Sequence, residues 1–309
     1  SAAFVYYSPI DAYQNYGISS YDYAVDGIQA EFYPTMVKEL LKTQKPKLVV
    51  IDARAFQYRE KDLKPNEISY RVFLRGFKYN LDRYKLINKI VPKYLKQGTL
   101  TYHFDLGLYH TEESMLSFIK TFNIMFDKNK NLNNGFYLVP KAMNIYKYDR
   151  DTKEELKIAS ESEKLLNELL DYLEKRNVKA LFVVSPYQQI KREKMQFNYI
   201  EKIVKSKNQD FLDANDYIDQ MKLDFTYDFY NGSHVNIYGA EKYTKFLSEY
   251  LIKKYNLPDR RGDKLYDEDF NNLIPKWEEN VEKTKKEIEA IKQIRTYLED
   301  IEIRKNINS

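Results

Sequence analysis

Lys179-Ala-Leu-Phe-Val-Val-Ser185 is the stretch on which the fold turns, a short apolar run bounded by polar residues and followed at once by Pro186. A run of this kind, without polar alternation, is the pattern of a strand buried on both faces, as in parallel sheets covered by helices. Directly before it, residues 160–175 place Leu165, Leu166, Leu169, Leu170 and Leu173 on one helical face. The same order occurs earlier in the chain. Residues 31–43 read as a helix with Phe32, Met36, Leu40 and Leu41 on one side; Lys45-Pro46 breaks it, and Lys47-Leu-Val-Val-Ile-Asp52 reads as another buried strand. Helix then strand, twice, predicts an α/β domain with a parallel sheet.

Outward from these strands, residues 192–205 read as a helix and Asp210-Phe-Leu-Asp213 as a further short strand. Residues 238–253 form the next helix, with Ala240, Tyr243, Leu247 and Leu251 at helical spacing. Between residues 54 and 150 the text loosens into Tyr-, Lys- and Asn-rich sequence with helical pieces at 82–96 and 113–126, an insertion expected to cover one side of the site. The polar run Asp127-Lys-Asn-Lys-Asn-Leu-Asn-Asn134 before Gly135 predicts an exposed loop. Residues 275–306 read as one long charged helix carrying Trp277, Val281, Ile288, Ile291, Ile294, Leu298 and Ile301. Such a helix either folds back on its own domain or docks a partner. The expected organisation is an α/β domain over residues 1–265, with 55–150 as an inserted helical cap, and a C-terminal helical extension over 266–309.

Composition narrows the function classes. The chain of 309 residues is long enough for a sizeable core, with 43% hydrophobic and 31% charged residues. It has 29 tyrosines and no cysteine, which excludes disulfides, thiolate nucleophiles and Cys-ligated metal. The net charge of +4 arises from finely interspersed acidic and basic residues, so no basic stripe tracks a phosphate backbone, and nucleic acid is not expected as a partner. No stretch is apolar over the ~18–20 residues needed to span a bilayer. Ser1-Ala-Ala-Phe-Val carries no initiator Met, so an upstream anchor or signal is expected.

Of three histidines, only His234 lies in a dense polar motif, Thr226-Tyr-Asp-Phe-Tyr-Asn-Gly-Ser-His-Val-Asn-Ile-Tyr-Gly239. Serine-based acyl chemistry needs a neutral imidazole near its nucleophile and a second group holding the other ring nitrogen. Asp228 and Asn231 are the candidates for that second role, and Asn236 can tie the loop to the backbone. The position just ahead of the last helix of the α/β region suits a site built from loops beyond strand ends. His103 and His110 lack the spacing of helical metal ligands, so no metal is expected. Arg54, just past a strand, is a candidate for a substrate carboxylate or phosphate, with a structural ion pair as the alternative. Tyr6, Tyr7, Tyr187, Tyr227 and Tyr230 are either sugar platforms or packing residues.

Residues 228–244, together with Tyr255-Asn-Leu-Pro-Asp-Arg-Arg261, resemble the C-terminal block of SGNH (GDSL-like) proteins that accompany membrane-bound O-acyltransferases. That group is related to the AlgX alginate acetyltransferases and, more distantly, to the DltD family. The front of the chain resembles the same family in register, through Ser1-Ala-Ala-Phe-Val-Tyr-Tyr-Ser-Pro9, Tyr16-Gly17 and Gly27-Ile-Gln29, as does Gln44-Lys-Pro-Lys-Leu-Val-Val-Ile-Asp52. The likeness covers about two-thirds of the chain and leaves the insertion uncovered.

The resemblance implies a three-layer SGNH-hydrolase-like fold and a serine-dependent O-acyltransferase or esterase, most simply of acetyl groups. The hydroxyls would be those of a cell-surface polysaccharide or teichoic-acid-like polymer. It places Ser1 at the nucleophile, with Ser8 and Ser185 as alternatives, and His234 as base. The Ser1 and Gly27 N–H groups would be oxyanion donors, with Gln29, Arg54 and Asn236 on the substrate side. No cofactor is implied. The location implied is the outer face of the cytoplasmic membrane of a Gram-positive cell, beside a membrane-bound O-acyltransferase. One residue departs from the pattern: the family's acid, three residues before the histidine, is Asn231 here. That substitution supports the alternative of a non-catalytic polymer-binding or scaffold subunit.

Overall fold

A computed structural model describes residues 2–24, 27, 29–57, 67–75, 77–103 and 133–307, with side chains of the last helix described as far as residue 292. Ser1, His110 and the helical piece at 113–126 lie outside the described residues, as does most of the polar run at 127–134.

The front of the chain is helical. Ala2–Tyr6 (α1) and Pro9–Tyr16 (α2) are separated by Ser8, whose Oγ accepts from Asp11 N at 3.2 Å, so that serine and proline start α2 together. Gly17 ends α2 at φ 69°, where a Cβ would collide with Asp259. A short 3-10 turn, Ala30–Phe32, leads into Tyr33–Thr43 (α3) and then Val49–Asp52 (β1). Farther along the chain come Ser160–Lys175 (α7) and Ala180–Val184 (β2), then Lys191–Ser206 (α8) and Asp210–Asp213 (β3), followed by the single turn Ile218–Met221 (α9). Among the described residues, β1, β2 and β3 form one parallel sheet in that order, with Val50 opposite Leu181 and Phe182 opposite Phe211. The expected strands and α/β class are therefore present.

Helices cover both faces of this sheet. Val37 of α3, the leucines of α7, and Phe197, Ile200 and Val204 of α8 pack on Ile51, Phe182 and Phe211. On the other face Leu181, Val183 and Leu212 meet α1, α2 and Ile237–Tyr255 (α10). Every side chain of β2 is at most 3% exposed, so the central strand needs apolar residues at each position and cannot alternate.

The insertion divides physically into two parts. Glu67–Arg75 (α4), Leu81–Ile90 (α5), a π-helical turn Val91–Leu95 and Leu100–His103 (α6) enclose a small core of Tyr70, Phe73, Leu86, Ile87 and Tyr102, closed by Phe32. Residues 133–159 belong instead to the main body. Met143 N donates to Phe229 O and Ile145 N to Phe225 O, and Arg150 is buried against Gln189, Asp213 and Asp216. Lys194 completes that network on Asp213 and Asp216.

Lys264–Phe270 (α11) and Ile274–Ile307 (α12) follow. Residues 266–309 were expected as an extension, but the first half of α12 is core: Trp277 and Ile288 are buried with α2 and α10. Trp277 Nε1 donates to Asp11 Oδ1 at 2.7 Å, and Lys285 pairs with Glu241.

Candidate functional site

The carboxyl ends of the parallel strands carry the site. Asp52 ends β1, Ser185 to Gln189 follow β2, and Asp213 ends β3. Over them lies a hairpin of Phe229–Asn231 (β4) and His234–Val235 (β5), antiparallel, with Asn231 opposite His234. Its turn is held from outside. Gln188 N donates to Gly232 O, and a Cβ on Gly232 would come within 2.7 Å of Gln188 Oε1. Tyr6 Oη is within 2.5 Å of Pro186 O and 2.9 Å of Ser233 O, while Arg54 Nη1 donates to Ser233 O at 3.0 Å.

Asn231 does two jobs with one atom. Its Oδ1 accepts from Ser233 N at 2.8 Å and lies 3.0 Å from His234 Nδ1. The backbone N–H identifies that atom as the carbonyl oxygen, so it can only accept, and Nδ1 must carry the proton. His234 Nε2 is then the unprotonated nitrogen, the tautomer a general base requires. The ring stacks on Tyr230, centroids 5.3 Å apart and planes 7° from parallel. Burial and the Arg54 charge lower the imidazole pKa to about 3, so the ring is neutral at physiological pH.

Asp228, the other candidate orienter, is elsewhere. Its Oδ2 accepts from Asp224 N at 2.7 Å and Lys242 Nζ at 2.6 Å, and its buried Oδ1 has no hydrogen-bond partner among the described residues. It closes the Asp224–Asp228 turn that leads into the hairpin. Asn236 is also structural: it N-caps α10 through Tyr238 N and Gly239 N and donates to Tyr227 O, leaving it 2% exposed. Its side-chain oxygen and nitrogen are both engaged in these bonds.

Arg54 is 8% exposed, with its guanidinium 4.9 Å from the Tyr187 ring centroid and 5.7 Å from that of Tyr6; Asp52 Oδ2 lies 3.7 Å from its Nε. It is an internal cation that bonds the hairpin at Ser233 O and lies within ion-pair reach of Asp52. Gly27 stands in an exposed turn at φ 70°, and Gln29 is 4% exposed ahead of the Ala30–Phe32 turn. Among the described residues no hydrogen bond links either of them to Asn231. Of the alternative serines, Ser8 is fully buried as the α2 cap, and Ser185 is 5% exposed with Oγ 3.5 Å from Tyr243 Oη.

Tyr6 supports the hairpin through its hydroxyl, the Tyr187 ring packs under the Arg54 guanidinium, and Tyr227 bonds Glu289 of α12. Sequence reasoning did not find Gln188, Gly232 or the Tyr6 hydroxyl. The Asn-Gly-Ser-His turn was a partial signal for Gly232; Gln188 acts on Gly232 from the loop after β2, and the Tyr6 hydroxyl acts on Pro186 and Ser233 across 180 and 227 residues of chain. Among the described residues no group of three or more His, Asp and Glu side chains is placed to hold a metal, and no helix is long and apolar enough to cross a membrane. No family model, curated protein or solved structure matches the chain.

Proposed function

We propose that this protein transfers or hydrolyses an O-linked acyl group, acetyl in the simplest case, through a serine ester, with His234 as the base. The observation that carries the reading is the His234–Asn231 contact, which leaves Nε2 unprotonated at the carboxyl edge of a parallel α/β sheet. Ser1 Oγ would attack the acyl carbonyl while His234 Nε2 takes its proton, and that proton would leave on the alcohol oxygen of the donor. A hydroxyl of a cell-surface glycopolymer, or water, would then attack the ester, passing its proton to Nε2 and restoring the serine. The acceptor class, the surface location and partnership with a membrane-bound O-acyltransferase are parts of this proposal that rest on the family resemblance, as is the three-layer SGNH assignment.

Asn231 and the Arg54 charge favour a second reading. An amide does not stabilise an imidazolium as a carboxylate does, and a neighbouring guanidinium disfavours it further. Both suit a polymer-binding subunit descended from an enzyme. Labelling with a fluorophosphonate followed by peptide mass spectrometry separates the two. The enzyme reading expects the label on Ser1 in wild type and its loss in His234→Ala; a folded wild type that takes no label supports the binding subunit.

A further inference from the structure

Asn231 and Gly232 stand at the hairpin turn, where the asparagine side chain is held against its own backbone. Asn231 Oδ1 accepts from Ser233 N at 2.8 Å, a loop closed across the intervening glycine, and lies 3.0 Å from His234 Nδ1, which carries the proton. Closing that loop folds the side chain back and brings its amide carbon toward Gly232 N, one bond short of a five-membered ring. Two donors therefore converge on one carbonyl oxygen, the arrangement that stabilises negative charge when a nucleophile adds to the carbon beside it.

The nucleophile is at hand. Among the described residues the Gly232 N–H donates to nothing, while the Gly232 C=O is held by Gln188 N. Glycine has no Cβ to obstruct its own nitrogen. The Asn231 amide nitrogen likewise makes no hydrogen bond among the described residues, so its departure breaks none. Asn231 and Gly232 are part-exposed and Ser233 is exposed, which admits water and lets ammonia leave.

We propose that Asn231 is a self-modifying residue, converted by its own turn into an aspartate. Gly232 N bonds to Asn231 Cγ and gives its proton to water, while charge develops on Oδ1 between its two donors. The Cγ–Nδ2 bond breaks, Nδ2 takes a proton from water, and ammonia departs, leaving a cyclic imide. Water then adds at Cγ, which the same two donors still polarise. The Gly232 N–Cγ bond breaks, the nitrogen recovers its proton, and position 231 carries a carboxylate with the main-chain peptide bond intact. Water enters and ammonia leaves; no oxidant or cofactor takes part. The product sets a carboxylate against His234 Nδ1, the group that stabilises an imidazolium where an amide does not. In the acyl-transfer reading, on which this one consequence rests, the chain is made in a slow form and gains rate as it ages.

Mass spectrometry of peptides from protein aged at pH 7.5 tests the conversion. Asn134-Gly135 is the same dipeptide with no donor on the Asn134 side-chain oxygen among the described residues, and it serves as the internal reference. Asn231 should convert at least about 10-fold faster in the folded protein than in the urea-unfolded chain, a modest part of the roughly 10²–10³ associated with one oxyanion donor. Asn134 should gain nothing from folding. Folded His234→Ala, which removes one donor, should lose most of the acceleration. Aspartate should predominate over isoaspartate, because the donors direct water to Cγ and not to the main-chain carbonyl. Conversion of Asn231 no faster in the folded than in the unfolded chain would overturn the proposal, as would equal acceleration at Asn134. An undiminished rate in folded His234→Ala, or isoaspartate as the main product, would overturn it too. Conversion with no gain in esterase rate would uphold the proposal and count against the acyl-transfer reading.

Discussion

At the scale of single residues, the imidazole of His234 sets the behaviour. Its pKa of about 3 keeps the imidazole deprotonated throughout the neutral range, so the rate of the proposed esterase reaction should be flat from pH 5 to 8. Asn231→Asp places a carboxylate on Nδ1, raises the imidazole pKa toward its ordinary value, and should introduce a loss of rate below about pH 6.5. The same variant should raise the plateau rate by roughly 10–100-fold, within the usual range for general acid–base assistance. A pH–rate profile of both proteins checks this. Folding is linked to the same proton: because the folded pKa lies below the unfolded value near 6.5, the unfolded chain binds more protons in between. His234 therefore costs stability progressively as pH falls from about 6.5 toward 3, and His234→Gln should flatten that decline in denaturation midpoints.

Asp11 behaves in the opposite sense, and its effect belongs to the element it anchors. Burial raises its carboxyl to about 6, even though Trp277 of α12 donates to it. A folded pKa above the ordinary 3.8 means that the folded state binds the extra proton, so stability falls as pH rises from about 4 through 6. Asp11→Asn keeps an acceptor for Trp277 and should stabilise the protein at pH 7 by on the order of 1 kcal/mol, with the gain vanishing below about pH 4. Glycines give a second element-scale test. A Cβ on Gly239, in the first turn of α10, would lie 2.5 Å from Asp228 O and 2.7 Å from Val235 Cβ, whereas one on Gly98 meets nothing within 4 Å. Gly239→Ala should cost about 1–3 kcal/mol by overpacking the hairpin, and Gly98→Ala close to nothing, in urea denaturation.

Elements built from local pattern were legible in the sequence. The apolar runs at 47–52 and 179–185 became β1 and β2 because a strand buried on both faces has no other composition open to it. The leucine face of 160–175 became α7 with the same bounds. His234 and its Asn231 partner were legible because they share one turn. The choice between Asp228 and Asn231 was not, since it depends on Lys242, fourteen residues downstream, and on the Asp224 backbone N–H. The structural roles of Arg54 and Tyr6 were also hidden, because both act on Ser233, a partner set by the tertiary fold.

For the whole molecule, the last helix is the part whose meaning changed most. Read alone, residues 275–306 are mainly charged, and the moderate spacing of their apolar residues does not say where they pack. In the fold, Trp277 is 1% exposed and meets Phe136 edge-on at 5.4 Å, so the beginning of α12 closes the core that also holds the hairpin. Trp277→Ala should cost about 3–5 kcal/mol, measured by thermal or urea unfolding. That loss would reach the site through α10, which begins immediately after the hairpin.

The role of His234 is tested most directly by hydrolysis of p-nitrophenyl acetate by wild type, His234→Ala and Asn231→Asp, each verified as folded. Wild type should release measurable p-nitrophenol, His234→Ala should fall to background, and Asn231→Asp should be faster at pH 7.5. Wild-type release no greater than that of His234→Ala would contradict the assignment of His234 as a base.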